Sequence, residues 1–267
     1  VQEYWDRRPC NIRHSGAPLG SARYFDEVEQ RKYFVEPHIP GFAEFERWQD
    51  RKVLEIGCGI GTDTINFARA GAQVTAVDLS PQSVELAQKR AEVYGLTDLI
   101  QFHVGDAENL SSIIRPEPYD LVYSFGVIHH TPDPKAVTAQ IREHFVGPGT
   151  TFKLMVYNRY SWKALSILLA YGKTGWWDWD TVVARYSEAQ GDCPITHTYS
   201  SRGIKDLLGS GFSIESMGKE HIFPYHIPAY INYRYIKNWQ FRFLPKPVFR
   251  SLEKRMGWHW CVTAVAQ

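Results

Sequence analysis

Short apolar runs alternate with longer amphipathic stretches across the first two thirds of the chain. The runs at 53–56, 73–77, 99–104, 119–124 and 151–157 are rich in Val, Ile, Leu, Phe and Tyr. Their length and composition predict strands. Helical patterns fill the gaps. One opens at Thr62 and carries Ile65 and Phe67 to Ala70-Gly71. A second covers 82–94, with Ser80 as N-cap and Pro81 at the first helical position. A third covers 135–145, opened by Asp133-Pro134 and ended by Gly147-Pro148-Gly149. Strands that alternate with helices in this way predict an α/β fold with a mostly parallel sheet and helices on both faces.

The flanks are less regular. Residues 1–50 open with Tyr4-Trp5-Asp6-Arg7-Arg8, pass through a Gly/Pro loop, and predict a helix over 22–35. On it Tyr24, Phe25, Val28, Lys32 and Val35 fall near helical spacing. A second helix is expected over 42–48. After the fifth strand, residues 158–202 form a connection too long for a simple turn, of the kind that serves as a lid or binding segment. It holds an amphipathic stretch (161–171), the run Trp176-Trp177-Asp178-Trp179, and the polar cluster Tyr186, Glu188, His197 and Tyr199. A helix over 203–208 and strands over 211–217 and 258–266 follow. Between those two strands lies a second insertion, 222–256.

The sharpest local signal is Val53-Leu54-Glu55-Ile56-Gly57-Cys58-Gly59-Ile60-Gly61-Thr62. A strand that ends in glycines and turns into a helix start lets a ligand lie against bare backbone, with amide N–H groups and the helix dipole directed at it. A dinucleotide fingerprint would be G-x-G-x-x-G; here the third glycine comes one residue too early, as Glu55-x-Gly57-x-Gly59-x-Gly61. Three further acidic or glycine steps close later strands: Asp78 after the second, Gly105-Asp106-Ala107-Glu108 after the third, and Phe125-Gly126-Val127-Ile128-His129-His130 after the fourth.

Four such motifs in order resemble class I S-adenosylmethionine (SAM) dependent methyltransferases, and in particular the small-molecule branch that includes ubiquinone-pathway and sugar or natural-product enzymes. The resemblance implies a seven-stranded Rossmann-like sheet, completed by the two late strands. It implies SAM as cofactor and S-adenosylhomocysteine (SAH) as product. Asp78 would hold the ribose hydroxyls, Asp106 the adenine amino group and the Ala107 amide a ring nitrogen. Gly57, Gly59 and Gly61 would give the methionine part its backbone path. The cofactor set so implied is Glu55, Gly57, Cys58, Gly59, Gly61, Thr62, Asp78, Leu79, Asp106, Ala107, Glu108, Phe125 and Gly126. From an N-terminal helical lid, Tyr24, Lys32 or Tyr33 would reach the methionine carboxylate.

Methyl transfer needs a nucleophile held about 3 Å from the methyl carbon, exclusion of water, and in some cases removal of one proton. His129 and His130 fall just past the fourth strand, and an unperturbed imidazole pKa of about 6.5 suits a proton acceptor. Both are candidate bases, set against a purely structural histidine. Tyr157, Tyr160, Tyr186, His197 and Tyr199 are candidate acceptor contacts, which together describe an aromatic pocket with a few polar anchors. A metal site from His221, His226, His197 and Cys193 matches no zinc spacing, so no metal is expected.

Composition narrows the partners. With 44% hydrophobic and 22% charged residues and a net charge of +1, nothing global argues for nucleic acid. The four scattered cysteines form no C-x-x-C pair, no secretory signal is visible, and no apolar run is long enough to span a bilayer; reduced thiols in a cytoplasmic enzyme are expected. The 222–256 insertion is locally different, with seven cations against the single acid Glu253 and many interleaved aromatics. Such a segment suits an anionic or hydrophobic acceptor or a membrane surface, or a cap whose cations stay solvated. The expected arrangement is therefore a helical lid (1–50) and a methyltransferase domain (51–267) with cap insertions at 158–202 and 222–256. The expected activity is methyl transfer to an oxygen or nitrogen of a small metabolite. Its rivals are C-methylation of a lipid-soluble, quinone-like ring and a catalytically silent SAM-binding protein. The sequence leaves the oligomeric state open.

Overall fold

A computed structural model describes residues 1–7, 9–171, 179–187 and 193–267. Arg8, Trp176, Trp177, Asp178 and Glu188 lie outside the described residues. Seven strands form one sheet: β1 (Lys52–Ile56), β2 (Gln73–Asp78), β3 (Ile100–Val104), β4 (Leu121–Phe125), β5 (Thr151–Tyr157), β6 (Phe212–Glu220) and β7 (His259–Ala266). Their spatial order is β3-β2-β1-β4-β5-β7-β6. Every pairing is parallel except those of β7, which runs antiparallel between β5 and β6. The seven-stranded, mostly parallel sheet expected from the sequence is the one observed.

Side chains that alternate along a strand face opposite sides of a sheet, and two cores follow from that. Leu54, Ile56, Val122, Phe152 and Leu154 pack on one face with Val137, Ile141 and Ile204. Val53, Val74, Ala76, Leu121 and Tyr123 pack on the other with Ile65, Phe67 and Trp48. Strands buried on both faces explain why the sequence shows continuous apolar runs there rather than strict alternation. The order reverses at β1, whose neighbours are β2 and β4, so a crevice opens at the C-terminal ends of those strands.

The helices on the two faces include α4 (Thr62–Arg69), α5 (Pro81–Tyr94), α7 (Pro134–His144) and α10 (Ser201–Leu208), numbering every helix in chain order. Three differences from the sequence reading matter. The helix expected over 42–48 is broken: Ile39–Ala43 (α3) ends at Glu44, which sits at φ +54°, before a 3-10 turn over Phe45–Trp48. The cause is tertiary, because the Glu44 carboxylate turns inward to meet the ammonium of Lys153, a side chain only 2% exposed within β5. Strand six runs on to Glu220, where it still pairs with His259, because β7 offers backbone partners that no local pattern reveals. Finally, residues Gln2–Arg7 form a short helix (α1).

The rest of the N-terminal region and the two insertions meet on one side of the molecule. Helix α2 (Ala22–Val35) carries Arg31, whose guanidinium lies 4.2 Å from the ring centroids of both Tyr230 and Tyr233. Its Nη2 also donates to the Tyr230 carbonyl. That aromatic sandwich ties α2 to the 222–256 segment, which carries α11 (Ile227–Ile231), α12 (Trp239–Arg242) and α13 (Lys246–Met256). The 158–202 segment contributes α8 (Trp162–Tyr171) and α9 (Trp179–Ser187), joined by Ala164 and Val183 packing on Trp258. Among the described residues no helix is long and apolar enough to cross a membrane.

Candidate active site

The turn after β1 is shaped by what stands beside it. Gly57 lies at φ +80°, and a Cβ there would fall 2.0 Å from Cγ2 of Val127. No side chain fits, so the β1 and β4 loops approach backbone to side chain. The amides of Gly57 and Cys58 donate to the Val77 carbonyl at 2.7 and 3.1 Å, which fixes the loop to the end of β2. Asp78 completes the clamp: its Oδ2 accepts from the Gly59 amide at 2.7 Å and its Oδ1 from the Ser80 amide at 2.9 Å. Burial pushes the Asp78 carboxyl above its ordinary range, while those two backbone N–H groups pull it back.

These loops enclose a cavity of about 290 Å³ at the crevice predicted by the strand order. Gly57, Cys58, Gly59, Thr62, Asp78, Leu79, Asp106, Ala107, Phe125 and Gly126 all line it, as do His130 and Tyr157. Most of the expected cofactor set is thereby gathered in one place. Gly61 stands just behind, where a Cβ would lie 3.0 Å from that of Ala87.

Other expected residues sit elsewhere, for identifiable reasons. Glu55 is 4% exposed, and its Oε2 accepts from the Thr64 hydroxyl at 2.5 Å. Burial, aided by the Asp63 charge, pushes its carboxyl up to about 8. It braces the loop from beneath rather than lining the cavity. Glu108 accepts from the Asp133 amide at 2.7 Å and so caps the neighbouring helix start. Tyr24 is 2% exposed, with its hydroxyl donating to the Ile12 carbonyl. Tyr33 donates to Asp63 at 3.0 Å.

Lys32, by contrast, reaches the cavity wall from α2. Its ammonium is 2.7 Å from Oδ1 of Asp63, whose Oδ2 accepts from the Tyr123 hydroxyl at 3.0 Å. Burial alone would lower the Lys32 pKa; the Asp63 charge and hydrogen bond outweigh it and hold the ammonium above its ordinary value. A fixed positive charge therefore stands at the cavity beside the glycine loop.

The two histidines separate clearly. His129 is fully buried, lies against the Tyr157 ring at 3.8 Å between centroids, and does not line the cavity. Neither of its ring nitrogens has a hydrogen-bond partner among the described residues. Burial, reinforced by its histidine neighbours, drives its pKa well below the ordinary range. His130 does line the cavity, and its Nδ1 lies 2.9 Å from the Ile195 carbonyl. The Thr196 hydroxyl (3.2 Å) and the Cys193 thiol (3.6 Å) also face Nδ1; the carbonyl, the nearest of the three, can only accept, which favours the tautomer with the proton on Nδ1.

Among the acceptor candidates, only Tyr157 lines this cavity. Tyr160 and Tyr186 are 62% and 42% exposed on the surface. His197 lines a separate, shallower concavity with Asp180 and Cys193, and Tyr199 packs on the hydrophobic core around Trp260 and Ile204. None of the described residues of the first insertion lines this cavity, and one of them, Ile195, meets His130 through its carbonyl. Val127, from the motif after the fourth strand, and Trp5, from the aromatic N-terminus, do enter it, as do Glu36, Met155 and His259, which no local sequence motif marks. His259 begins β7, opposite Tyr157 in the ladder, and only the antiparallel pairing places it there.

Residues 53–149, which build most of this site, match the model of a family described as "Methyltransferase domain". They are a methyltransferase domain. Two curated enzymes are similar to part of this chain. One is the ubiquinone biosynthesis O-methyltransferase of Idiomarina loihiensis, 33% identical over 144 residues, covering 54% of this chain and 55% of that protein. The other is norajmaline N-methyltransferase of Rauvolfia serpentina, 34% identical over 145 residues, covering 54% of this chain and 46% of that protein. The chain therefore spans about half the length of the curated relatives it matches. The fold extends further. The crystal structure of magnesium protoporphyrin IX methyltransferase from Synechocystis PCC 6803 with bound SAH aligns over 100% of this chain and 98% of its own, with a TM-score of 0.61 at 18% identity. The matched segment, residues 53–149, contains the first four strand-end motifs.

Proposed function

We propose that this chain is a SAM-dependent methyltransferase acting on an oxygen or nitrogen of a small-molecule acceptor, with His130 as the proton-accepting group. The observation that carries the reading is the convergence of the glycine turn, Asp78, Asp106 and Ala107 on one cavity that also holds His130 and Tyr157. The residues present fit the cofactor: Gly57, Cys58 and Gly59 line the cavity at the end of β1, and Asp78, its carboxylate oriented by two backbone amides, lines it beside them. SAM, when bound, supplies a methyl carbon whose bond to sulfur breaks, the bonding pair staying on sulfur, as the acceptor's lone pair forms the new bond.

The chain's own residues do the rest. Asp78 and Asp106 bind and orient the nucleoside, and Lys32 offers its charge to the methionine carboxylate. Met155, Phe125 and Tyr157 exclude water from the acceptor side. His130 takes the acceptor proton at Nε2, while its Nδ1–H stays anchored on the Ile195 carbonyl. Trp5 stacks edge-on against His130, 5.2 Å between centroids, so the N-terminal residues close over the site as a lid.

Incubating the protein with methyl-labelled SAM and fractionated cell extract tests the reading. A labelled small molecule is expected. Tight SAH binding with no labelled product from any fraction would favour the silent SAM-binding protein instead.

A second reading, C-methylation of a lipid-soluble ring, draws support from one surface. Trp239 and Phe243 are 79% and 84% exposed, among Lys237, Arg242 and Lys246. Exposed aromatic rings beside cations suit the interface of an anionic membrane, from which a lipid-soluble acceptor could be drawn.

A further inference from the structure

Beside the cavity, three separate parts of the chain bring metal-binding atoms together. Glu36 caps the end of α2, His221 follows the last residue of β6, and His259 opens β7. One ligand atom from each lies within 4.8 Å of the others. We propose that Glu36, His221 and His259 bind a zinc-class divalent metal ion whose open position faces the cavity and takes an oxygen of the methyl acceptor.

Two imidazoles and one carboxylate form a donor set that such ions bind while keeping a position open for a further oxygen. Ligand atoms about 2.1 Å from a shared tetrahedral ion stand roughly 3.4 Å apart. Nε2 of His259 and Oε1 of Glu36 are 3.7 Å apart, too long for a hydrogen bond and close to that edge. The other nitrogen of His259 is already held: its Nδ1 lies 3.0 Å from Nε2 of His38. An outer partner on the far ring nitrogen is what orients a metal-binding imidazole. The ring of His221 stacks on that of His259 at 4.6 Å between centroids, which aligns the pair.

His221 carries a second mark. It sits at φ +69°, a conformation uncommon for a residue with a side chain. The turn is held by its carbonyl, which accepts from the Trp258 amide at 2.8 Å. Strain of this kind persists where the surroundings fix it, and it concentrates at functional positions. Here it delivers the imidazole to the sheet edge beside His259.

Glu36 and His259 both line the cavity, so an ion between them meets the acceptor rather than bulk solvent. An acceptor hydroxyl facing the ion is polarised. Its proton passes to His130, its oxygen lone pair bonds the methyl carbon, and the carbon–sulfur pair leaves with SAH. The acceptor class therefore rests on the methyl-transfer reading, as an O-nucleophile able to ligate a metal. Metal binding itself does not.

The test uses the full chain, stripped with a chelator and then titrated with Zn²⁺ and Co²⁺, with SAH binding measured on the same samples. Binding of one equivalent, with visible Co²⁺ bands of low coordination number, is expected. His221→Asn, which tolerates the left-handed backbone, and Glu36→Gln should each weaken binding at least tenfold. His226→Ala, on an exposed residue nearby, should leave it unchanged. No stoichiometric binding, or binding indifferent to both cluster substitutions, overturns the proposal. A protein that binds the metal but not SAH would sink the methyl-transfer reading while leaving the metal site standing.

Discussion

The half of the molecule that holds the nucleoside and the half that covers it are built by different rules. In residues 53–157 each functional group follows its strand by one to a few positions, so sequence order and spatial order agree. The described parts of residues 1–50, 158–202 and 222–256 meet instead through long-range contacts such as Arg31 between Tyr230 and Tyr233. Chemistry common to a fold is written locally at strand ends; the acceptor side is written in pairings that no window of sequence contains. Substitutions at the glycine turn and at Asp78 should accordingly weaken cofactor binding, while those on the acceptor side, His130 included, should change turnover or localisation with the cofactor still bound.

The largest effect is expected at Gly57. Replacing it with Ala puts a methyl group into Val127 and forces φ +80° on a residue with a Cβ. SAH affinity measured by calorimetry should fall by more than about 100-fold, because a shifted turn costs several kcal/mol. Asp78→Asn comes next. Both carboxylate oxygens accept backbone N–H bonds, so an amide must turn its NH₂ toward Gly59 or Ser80. The same titration should show a loss of about 10- to 100-fold, the scale of one mispaired buried donor plus a lost ribose contact. Near-normal affinity in either variant would contradict the placement of the nucleoside.

These positions were legible because glycines and acids at strand ends have a local cause. Gly57, Asp78, Asp106 and Gly126 could be placed from spacing and a family resemblance, together with a seven-stranded, mostly parallel sheet. The remainder was not legible for physical reasons. Glu55 belongs to the same motif, yet points under the loop to Thr64, which spacing cannot distinguish from pointing at a ligand. Tyr186, His197 and Tyr199 looked like pocket residues because polar aromatics cluster there, but Tyr186 is exposed on α9, and backbone bonds from His197 to the His129 carbonyl and from Tyr199 to the Tyr157 carbonyl run their stretch alongside the site rather than into it. His259 reads as part of a strand, and only antiparallel pairing with Tyr157 makes it a wall of the cavity.

The histidine pair sharpens the contrast on the acceptor side. His130→Ala should lower kcat by about 10² or more with SAH affinity little changed, the usual loss for a proton-accepting group. His129→Ala should destabilise the fold through the space left beside Tyr157, with turnover per folded molecule nearly intact. Equal kinetic effects from the two would remove the distinction drawn from their placement.

Acid should unfold the metal-free protein early. Burial holds His38 down at about 4 and His221 at about 3, and drives His129 and His259 well below the ordinary imidazole value. Their folded forms bind fewer protons than the unfolded chain, so stability falls as the pH drops from about 6.5 toward 4. Glu55 works the other way between about 8 and 4.5, since its raised pKa favours the folded state as it protonates. The raised carboxyls of Asp78 and Glu220 act in the same sense as Glu55, and the four imidazoles outnumber these three. Chemical denaturation at pH 7 and pH 5 should show a loss of several kcal/mol; equal stability would mean that water reaches these rings.

The smallest effect concerns the exposed rim of the cap. Trp239 and Phe243 are 79% and 84% exposed, and the Arg242 guanidinium lies 5.5 Å from the Phe243 ring centroid, which sets a cation beside an exposed ring. Each ring entering a bilayer interface contributes roughly 1–2 kcal/mol, and each nearby cation about 1 kcal/mol on an anionic surface. Replacing both rings with Ser should therefore abolish co-sedimentation with vesicles rich in phosphatidylserine, with folding and SAH affinity unchanged because neither ring touches the core. Salt should weaken the wild-type association as it screens Lys237, Arg242 and Lys246. If the wild-type chain ignores such vesicles even at low salt, the rim is a solvated edge, and the acceptor reaches the cavity from water.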